Sequence, residues 1–394
     1  MRPAPAPTSS PPAGEAGYVT ALLDWLACAV GGWGRPATRA ARKDPVSVED
    51  RAVALGTSGH VLDFDDTYLP GLAHLSAPTA PAALALGSET GASVGQVMDA
   101  YAAGFEAMAA VARAGHPGLY DRGWHPTAVC GVVGAATAAS RLLGLDEARS
   151  RRAVRLALLG AGGLRAAFGS DGKSLQVGMA AATGLRAARL ADAGARVPDD
   201  LPTTSAGFED AYGGRWQELQ PGDEPAVRLN WIKAYPCCLQ AHSAIEAGTR
   251  VRDRVEEPER VTVMVHPVSR QAAPFDDVAD GLQAKFSIPY LTAFALAHGP
   301  PNVDDLDHVD PHIGKRAGRI EVRTDPSLLE SEAVLAAEGG AEERVEAALG
   351  SPARPMDRSA LAEKVRALAG SRLEGVLDDP NRPAEDVLVA AGLR

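Results

Sequence analysis

Small residues at helical spacing constrain this chain more than any other feature. Ala100, Ala103, Gly104 and Ala107 lie on one face of a pattern running from Ser93 to Ala114, which Gly115-His116-Pro117-Gly118 stops. Ala-rich runs of this kind recur along the chain, while aromatic residues make up only 5% of it. Such faces favour close-packed helices. Further helices are predicted at Tyr18–Val30, from the capping-box sequence Ser47-Val48-Glu49-Asp50 towards His60, and at Ala77–Leu86, Ala128–Leu143, Asp146–Leu159 and Leu175–Ala191. No convincing strand precedes residue 228.

The pattern changes after Gly222. Glu259-Arg260-Val261-Thr262-Val263-Met264-Val265-His266 alternates with period two and is β-branched, so it reads as a strand. Gly318 to Arg323 is a second strand candidate, and Ala284–Ala297 is a helix between them. Arg358–Ala369 and Pro383–Ala391 return to helix. The expected fold class is mainly α. A large all-α helical domain (17–228 with 356–394) is interrupted by a smaller α+β unit (229–355), after a Pro/Ala-rich N-terminus over 1–16 that is expected to be disordered.

The formal net charge of −11 argues against a nucleic-acid binder, whose footprint would be basic. It leaves small anions open, because a basic pocket can exist on an acidic protein. Cys28, Cys130, Cys237 and Cys238 show no CxxC spacing and read as reduced thiols of a cytoplasmic protein. No uncharged run reads as a membrane span, and no membrane partner is expected.

Chemistry concentrates at His60-Val61-Leu62-Asp63-Phe64-Asp65-Asp66-Thr67-Tyr68 and continues to His74. Three carboxylates sit at the C-terminal end of a predicted helix, where the dipole disfavours them, inside apolar sequence. Three readings stand side by side: a Mg²⁺ site like those of all-α prenyl-diphosphate enzymes, a set of helix caps, or an acid–base wall formed by Asp63, Thr67 and His74. No second acidic motif supports the metal reading, and no metal is assigned. His125, just before Pro126, and Lys173 each lie in a Gly-containing loop before a helix, where N–H groups favour a bound carboxylate. Lys233 lies where the helical part gives way to the insert.

Taken together, HVLDFDDTY (60–68), RGWHPTAVCG (122–131), GLRAAFGSDGKSLQVG (163–178), IKAYPCCLQAHSAIEA (232–247), AKFSIPYLTAFAL (284–296) and GSPARPMDRSALAEKVRALAG (350–370) resemble the MmgE/PrpD family and stand in its order. The resemblance implies an all-α domain with an α+β lid, a cleft between them, no cofactor and a homodimer. By the same resemblance, Asp63, His74, His125 and Lys173 are catalytic, and Thr67, Lys233 and Tyr290 bind substrate. The family includes 2-methylcitrate dehydratase, cis-aconitate decarboxylase and iminodisuccinate epimerase. Two positions depart from its pattern: Cys238 stands where cis-aconitate decarboxylase has a His, and Gln176 where relatives often have one.

The chemistry expected is proton transfer next to a carboxylate of a di- or tricarboxylic acid. Lys173, Lys233 and His74 would hold the carboxylates, His125 or His74 would carry the proton, and Asp63 would orient an imidazole. Asp65 and Asp66 are read as holding the loop in shape. Dehydration of the 2-methylcitrate type is preferred, with decarboxylation or epimerisation as alternatives. A Mg²⁺-dependent prenyl enzyme and a non-catalytic binding protein are the competing classes.

Overall fold

The computed structural model describes residues 16–220, 222–255 and 258–394. The segment expected to be disordered therefore lies outside the described residues, except for Ala16, which opens the first helix.

Helix predominates. The longer helices are α1 (Ala16–Gly32), α2 (Val48–His60), α3 (Ser76–Thr90), α4 (Val94–Gly115), α5 (Pro126–Leu142), α6 (Glu147–Leu158) and α7 (Gly172–Asp192). They are followed by α8 (His242–Val251), α9 (Ile288–His298), α10 (Arg358–Ala369) and α11 (Ala384–Ala391). Their starts follow from sequence chemistry. Ser47 and Ser93 each cap a helix in a reciprocal box, with Asp50 and Gln96 as the returning partners. His125 stands at the N-cap of α5 with Pro126 behind it, as its sequence predicts. Helix α7 begins earlier than expected, so Lys173 belongs to its first turn rather than to the preceding loop.

Small faces set the helix crossings. A Cβ added at Gly56 on α2 would lie 2.8 Å from the Cα of Gly178 on α7. The two backbones touch there, which places His60 at the end of α2 opposite Lys173 at the start of α7. One hydrophobic core gathers α1 to α7 with α11. A second gathers α8, α9 and a four-stranded sheet.

That sheet differs from expectation. Its order is β4-β3-β5-β6, with β3 (Val261–Val265), β4 (Ile320–Thr324), β5 (Ala333–Ala337) and β6 (Glu342–Val345). β3 and β4 are parallel and the other neighbours antiparallel. β3 and β4 match the two predicted strands. β5 and β6 were not foreseen, because Ala-Val-Leu-Ala-Ala has a helix former's composition and only Gly339-Gly340 marks the turn. The single helix expected over 284–297 is also broken. Ser287 accepts a bond from the Tyr290 N–H and caps α9, while Lys285 and Phe286 lie in the break.

A shorter ladder, β1 (Thr67–Tyr68) with β2 (Asn230–Trp231), corrects the expectation of no strand before 228. Its antiparallel register pairs Thr67 with Trp231. It thereby brings Lys233 alongside Asp63.

The α2–α7 crossing makes a simple prediction. Gly178→Ala would push a methyl against the Val53 carbonyl and within 2.7 Å of Thr57 Oγ1. Denaturant unfolding should show a loss of about 1–3 kcal/mol; an unchanged midpoint would mean that the helices separate freely.

Candidate active site

The segment after α2 turns sharply because Asp63 adopts a left-handed backbone, φ 53°. For a non-glycine residue this costs of order 1–3 kcal/mol and persists only where surroundings impose it. Here three buried ammonium groups do so. Lys285 Nζ donates to the Leu62 carbonyl at 2.8 Å, Lys233 Nζ to the Asp63 carbonyl at 2.9 Å, and Lys364 Nζ to the Phe64 carbonyl at 2.8 Å. Lys364 also pairs with the buried Asp24 at 2.6 Å.

The three aspartates then diverge. Asp63 Oδ1 accepts from Lys173 at 2.7 Å and from Lys233 at 2.9 Å. Burial works to raise its pKa, but the two ammoniums hold the carboxyl well below the usual range. Asp65 faces two imidazoles: His60 Nδ1 at 2.9 Å and His74 Nδ1 at 3.2 Å. Asp66 accepts from Asn230 Nδ2 at 2.9 Å. Side chains that point three ways do not converge on one cation, which counts against the Mg²⁺ reading of this triplet.

His60, Asp65 and His74 do offer ligand atoms within 4.8 Å of one another. A hydrogen-bond network accounts for that spacing. Burial works against ionisation of Asp65, but His60 and His74 keep the carboxyl well below the normal carboxylate range, so it is acceptor-only. Both Nδ1 atoms must therefore carry protons. His74 is driven down to about 3 by burial, with Lys233 and Lys173 adding to the effect and Asp65 opposing it, so it is a neutral ring at pH 7. Its Nε2, 3.7 Å from Asp63 Oδ1, then carries the lone pair. Asp65 is the carboxylate nearest the two imidazoles, while Asp63 Oδ1, expected to orient one, lies 3.7 Å from His74 Nε2.

His74 lines a narrow cavity of about 50 Å³, together with Asp63, Thr67, His125, Lys173 and Lys233. Six of the seven expected site residues thus meet in one place. Thr67 Oγ1 lies 3.3 Å from His74 Nδ1, and the His74 N–H donates to Thr127 Oγ1 at 3.1 Å. His125 is buried, with Phe168 edge-on at 5.0 Å and Gln176 Nε2 2.7 Å from its Nδ1. Burial first, then Lys173, His60 and His74, hold it well below its ordinary pKa against the opposing Asp63. It too is neutral.

The two lysines are not equivalent. Lys233 uses three N–H donors on the Asp63 carbonyl, Asp63 Oδ1 and the Cys237 carbonyl. Its donors are thus taken within the protein, and it supplies charge to the cavity that it lines. Lys173 uses one donor among the described residues, on Asp63, and its ammonium sits 5.5 and 5.2 Å from the rings of Phe168 and Phe286. Lys173 and Lys233 thus bring two ammoniums to the cavity lining, where Asp63 is the one carboxylate that shares it.

Tyr290 stands apart. It is buried in the second core and its hydroxyl accepts from the Asp310 N–H at 2.9 Å, away from the cavity lining. Cys238 is in the wall; burial pushes its thiol up to about 11, so it is a neutral group there. Tyr120, Phe168 and Gln240 also line the cavity without having been singled out. The four cysteines are buried and free.

Asp66 yields a pH prediction. Burial, with Asp65 and Asp24 nearby, raises it to about 7. The folded state then binds a proton more tightly than the unfolded state, so stability falls as pH rises from about 4 to about 7. Asp66→Asn, which keeps an acceptor for Asn230, should gain roughly 2–4 kcal/mol over the parent at pH 8. The gain should vanish below pH 4, as thermal melts across pH will show.

The MmgE/PrpD N-terminal domain model matches residues 40–218 and the MmgE/PrpD C-terminal domain model matches residues 235–387. The chain is 26% identical over 374 residues to a cis-aconitate decarboxylase of Homo sapiens, covering 86% of this chain and 75% of that one. It is 27% identical over 292 residues to a cis-aconitate decarboxylase of Mus musculus, covering 68% and 57% of the two. To a cis-aconitate decarboxylase-like protein of Aspergillus oryzae it is 29% identical over 254 residues, covering 58% and 49%.

Proposed function

The chain belongs to the MmgE/PrpD family, and from that premise we propose that it is a cofactor-independent lyase that decarboxylates cis-aconitate or a closely related polycarboxylate. The observation that carries this reading is the pair of buried ammoniums sharing Asp63 Oδ1, set beside the neutral rings of His74 and His125. Ammoniums lining a low-dielectric cavity favour a substrate that carries carboxylates. The relatives' names favour decarboxylation over the dehydration preferred from sequence.

Lys173, with N–H groups to spare, anchors a substrate carboxylate, and Lys233 adds charge behind it. Arrival of several carboxylates reverses the local field that keeps His74 unprotonated, so His74 takes up a proton on Nε2 while Asp65 holds Nδ1. Loss of CO₂ breaks a carbon–carbon bond, and the electron pair moves into the neighbouring alkene. The carbon at its far end then takes the proton from His74, which recovers one from water. Hydrogen bonds from His125 and the ammoniums stabilise the charge that develops on the remaining carboxylates.

Dehydration is the second reading, and Cys238 favours it. A neutral thiol there cannot supply the proton or charge of an imidazole, and loss of water from a hydroxy acid asks only for His74 as base and one acid.

Incubation with cis-aconitate, citrate and 2-methylcitrate, following CO₂ and alkene absorbance, separates the two. CO₂ from cis-aconitate is expected. Alkene formation from 2-methylcitrate without CO₂ would establish the second reading, and no turnover of any would sink both. Asp65→Asn should lower kcat by about 10²-fold at nearly constant KM, because it disturbs the proton carrier. Lys173→Ala should act mainly on KM. Equal effects of the two variants on both parameters would contradict the division of roles.

A further inference from the structure

We propose that Gln176 is a positioning residue that locks His125 in the tautomer carrying its proton on Nε2, so that this ring meets substrate as a hydrogen-bond donor. Its bearing on turnover rests on the lyase reading above; the tautomer itself does not.

The inference starts from the backbone of Leu164, whose polarity is fixed. Its N–H donates to Gln176 Oε1 at 2.9 Å, and its carbonyl accepts from Gln176 Nε2 at 3.3 Å. Reversing the carboxamide would set donor against donor and acceptor against acceptor. The amide nitrogen is therefore the end that faces His125 Nδ1, at 2.7 Å. An amide N–H only donates, so Nδ1 must accept, and a neutral ring then has its one proton on Nε2.

Leu164 is itself held to the loop that carries His125. It bridges to Trp124, while the His125 N–H donates to the Gly163 carbonyl at 3.0 Å and the Arg165 N–H to the Gly123 carbonyl at 2.9 Å. Anchor and imidazole thus move as one piece. The charged and titratable groups facing His125 are Lys173 from α7, His60 from α2, His74 and Asp63. Three of these favour the neutral ring.

The result is an asymmetric pair. Asp65 holds His74 by Nδ1–H and leaves an acceptor on Nε2, whereas Gln176 holds His125 by a bare Nδ1 and leaves a donor on Nε2. Two chemically identical rings receive opposite roles from their outer partners.

Nitrogen NMR of the intact protein labelled in its histidine rings tests this without any substrate. The His125 signals, assigned by their loss in His125→Asn, should show an unprotonated Nδ1 and a protonated Nε2 in the parent protein. In Gln176→Glu the carboxylate can only accept, so the ring proton should move to Nδ1 or the ring should become doubly protonated. With whichever substrate is turned over, that variant should lose activity about tenfold or more and gain a new inflection in its pH–rate profile. A parent ring protonated on Nδ1, or an unchanged ring in Gln176→Glu, would overturn the proposal. Should none of the carboxylic acids be turned over, the lyase reading fails, and the ring signals still decide the tautomer.

Discussion

The structure depends on a small number of lysines. Of the 39 basic residues, six are lysine, and four of those six are buried against one loop: Lys173, Lys233, Lys285 and Lys364. Arginine carries the remaining positive charge. The choice follows from shape. An ammonium is a compact tetrahedral donor that can join a carbonyl and a carboxylate at one point, whereas a guanidinium is a wide planar fork. Three of these lysines take successive carbonyls of Leu62, Asp63 and Phe64, which lets Asp63 keep its left-handed backbone. Removing Lys233 or Lys364 would leave both a buried carbonyl and a buried carboxylate short of a partner, and removing Lys285 would strand the Leu62 carbonyl.

From that constraint the electrostatics of the cavity follow. Asp63 is spent on neutralising its lysines and is too strongly held to act as a base. Asp65, two residues on, escapes the lysines and controls the imidazoles instead. Adjacent carboxylates in one short motif therefore serve opposite ends: one moderates positive charge, and the other governs where protons sit.

Much of this was legible in the sequence, for identifiable reasons. The capping boxes at Ser47 and Ser93 and the Pro126 helix start are local, and local chemistry decided them. Asp63, Thr67, His125, Lys173 and Lys233 each sit in a family-like motif, and His74 follows the first of them within the same polar stretch. What escaped was whatever depends on direction in space. Sequence shows three aspartates side by side, but only the fold shows that they point to lysines, histidines and an amide in turn. Tyr290 lies in a matching motif yet faces Asp310. Lys285 and Lys364 lie within family-like motifs, and the scarcity of lysine in an arginine-rich chain is the signal that marks them. The β1–β2 ladder is only two residues long and has no periodicity to read.

The positions of those lysines also have a temporal consequence. The loop at 60–68 leaves the ribosome early, but the groups that satisfy it follow at 173, 233, 285 and finally 364. Until α10 arrives, Asp24 and the Phe64 carbonyl lack their common partner, so neither can be buried cheaply. The helices up to Asp192 can gather as they are made, whereas this loop waits for a lysine 300 residues after Phe64. The geometry of the 60–68 loop is thus a report on Lys364 having been reached.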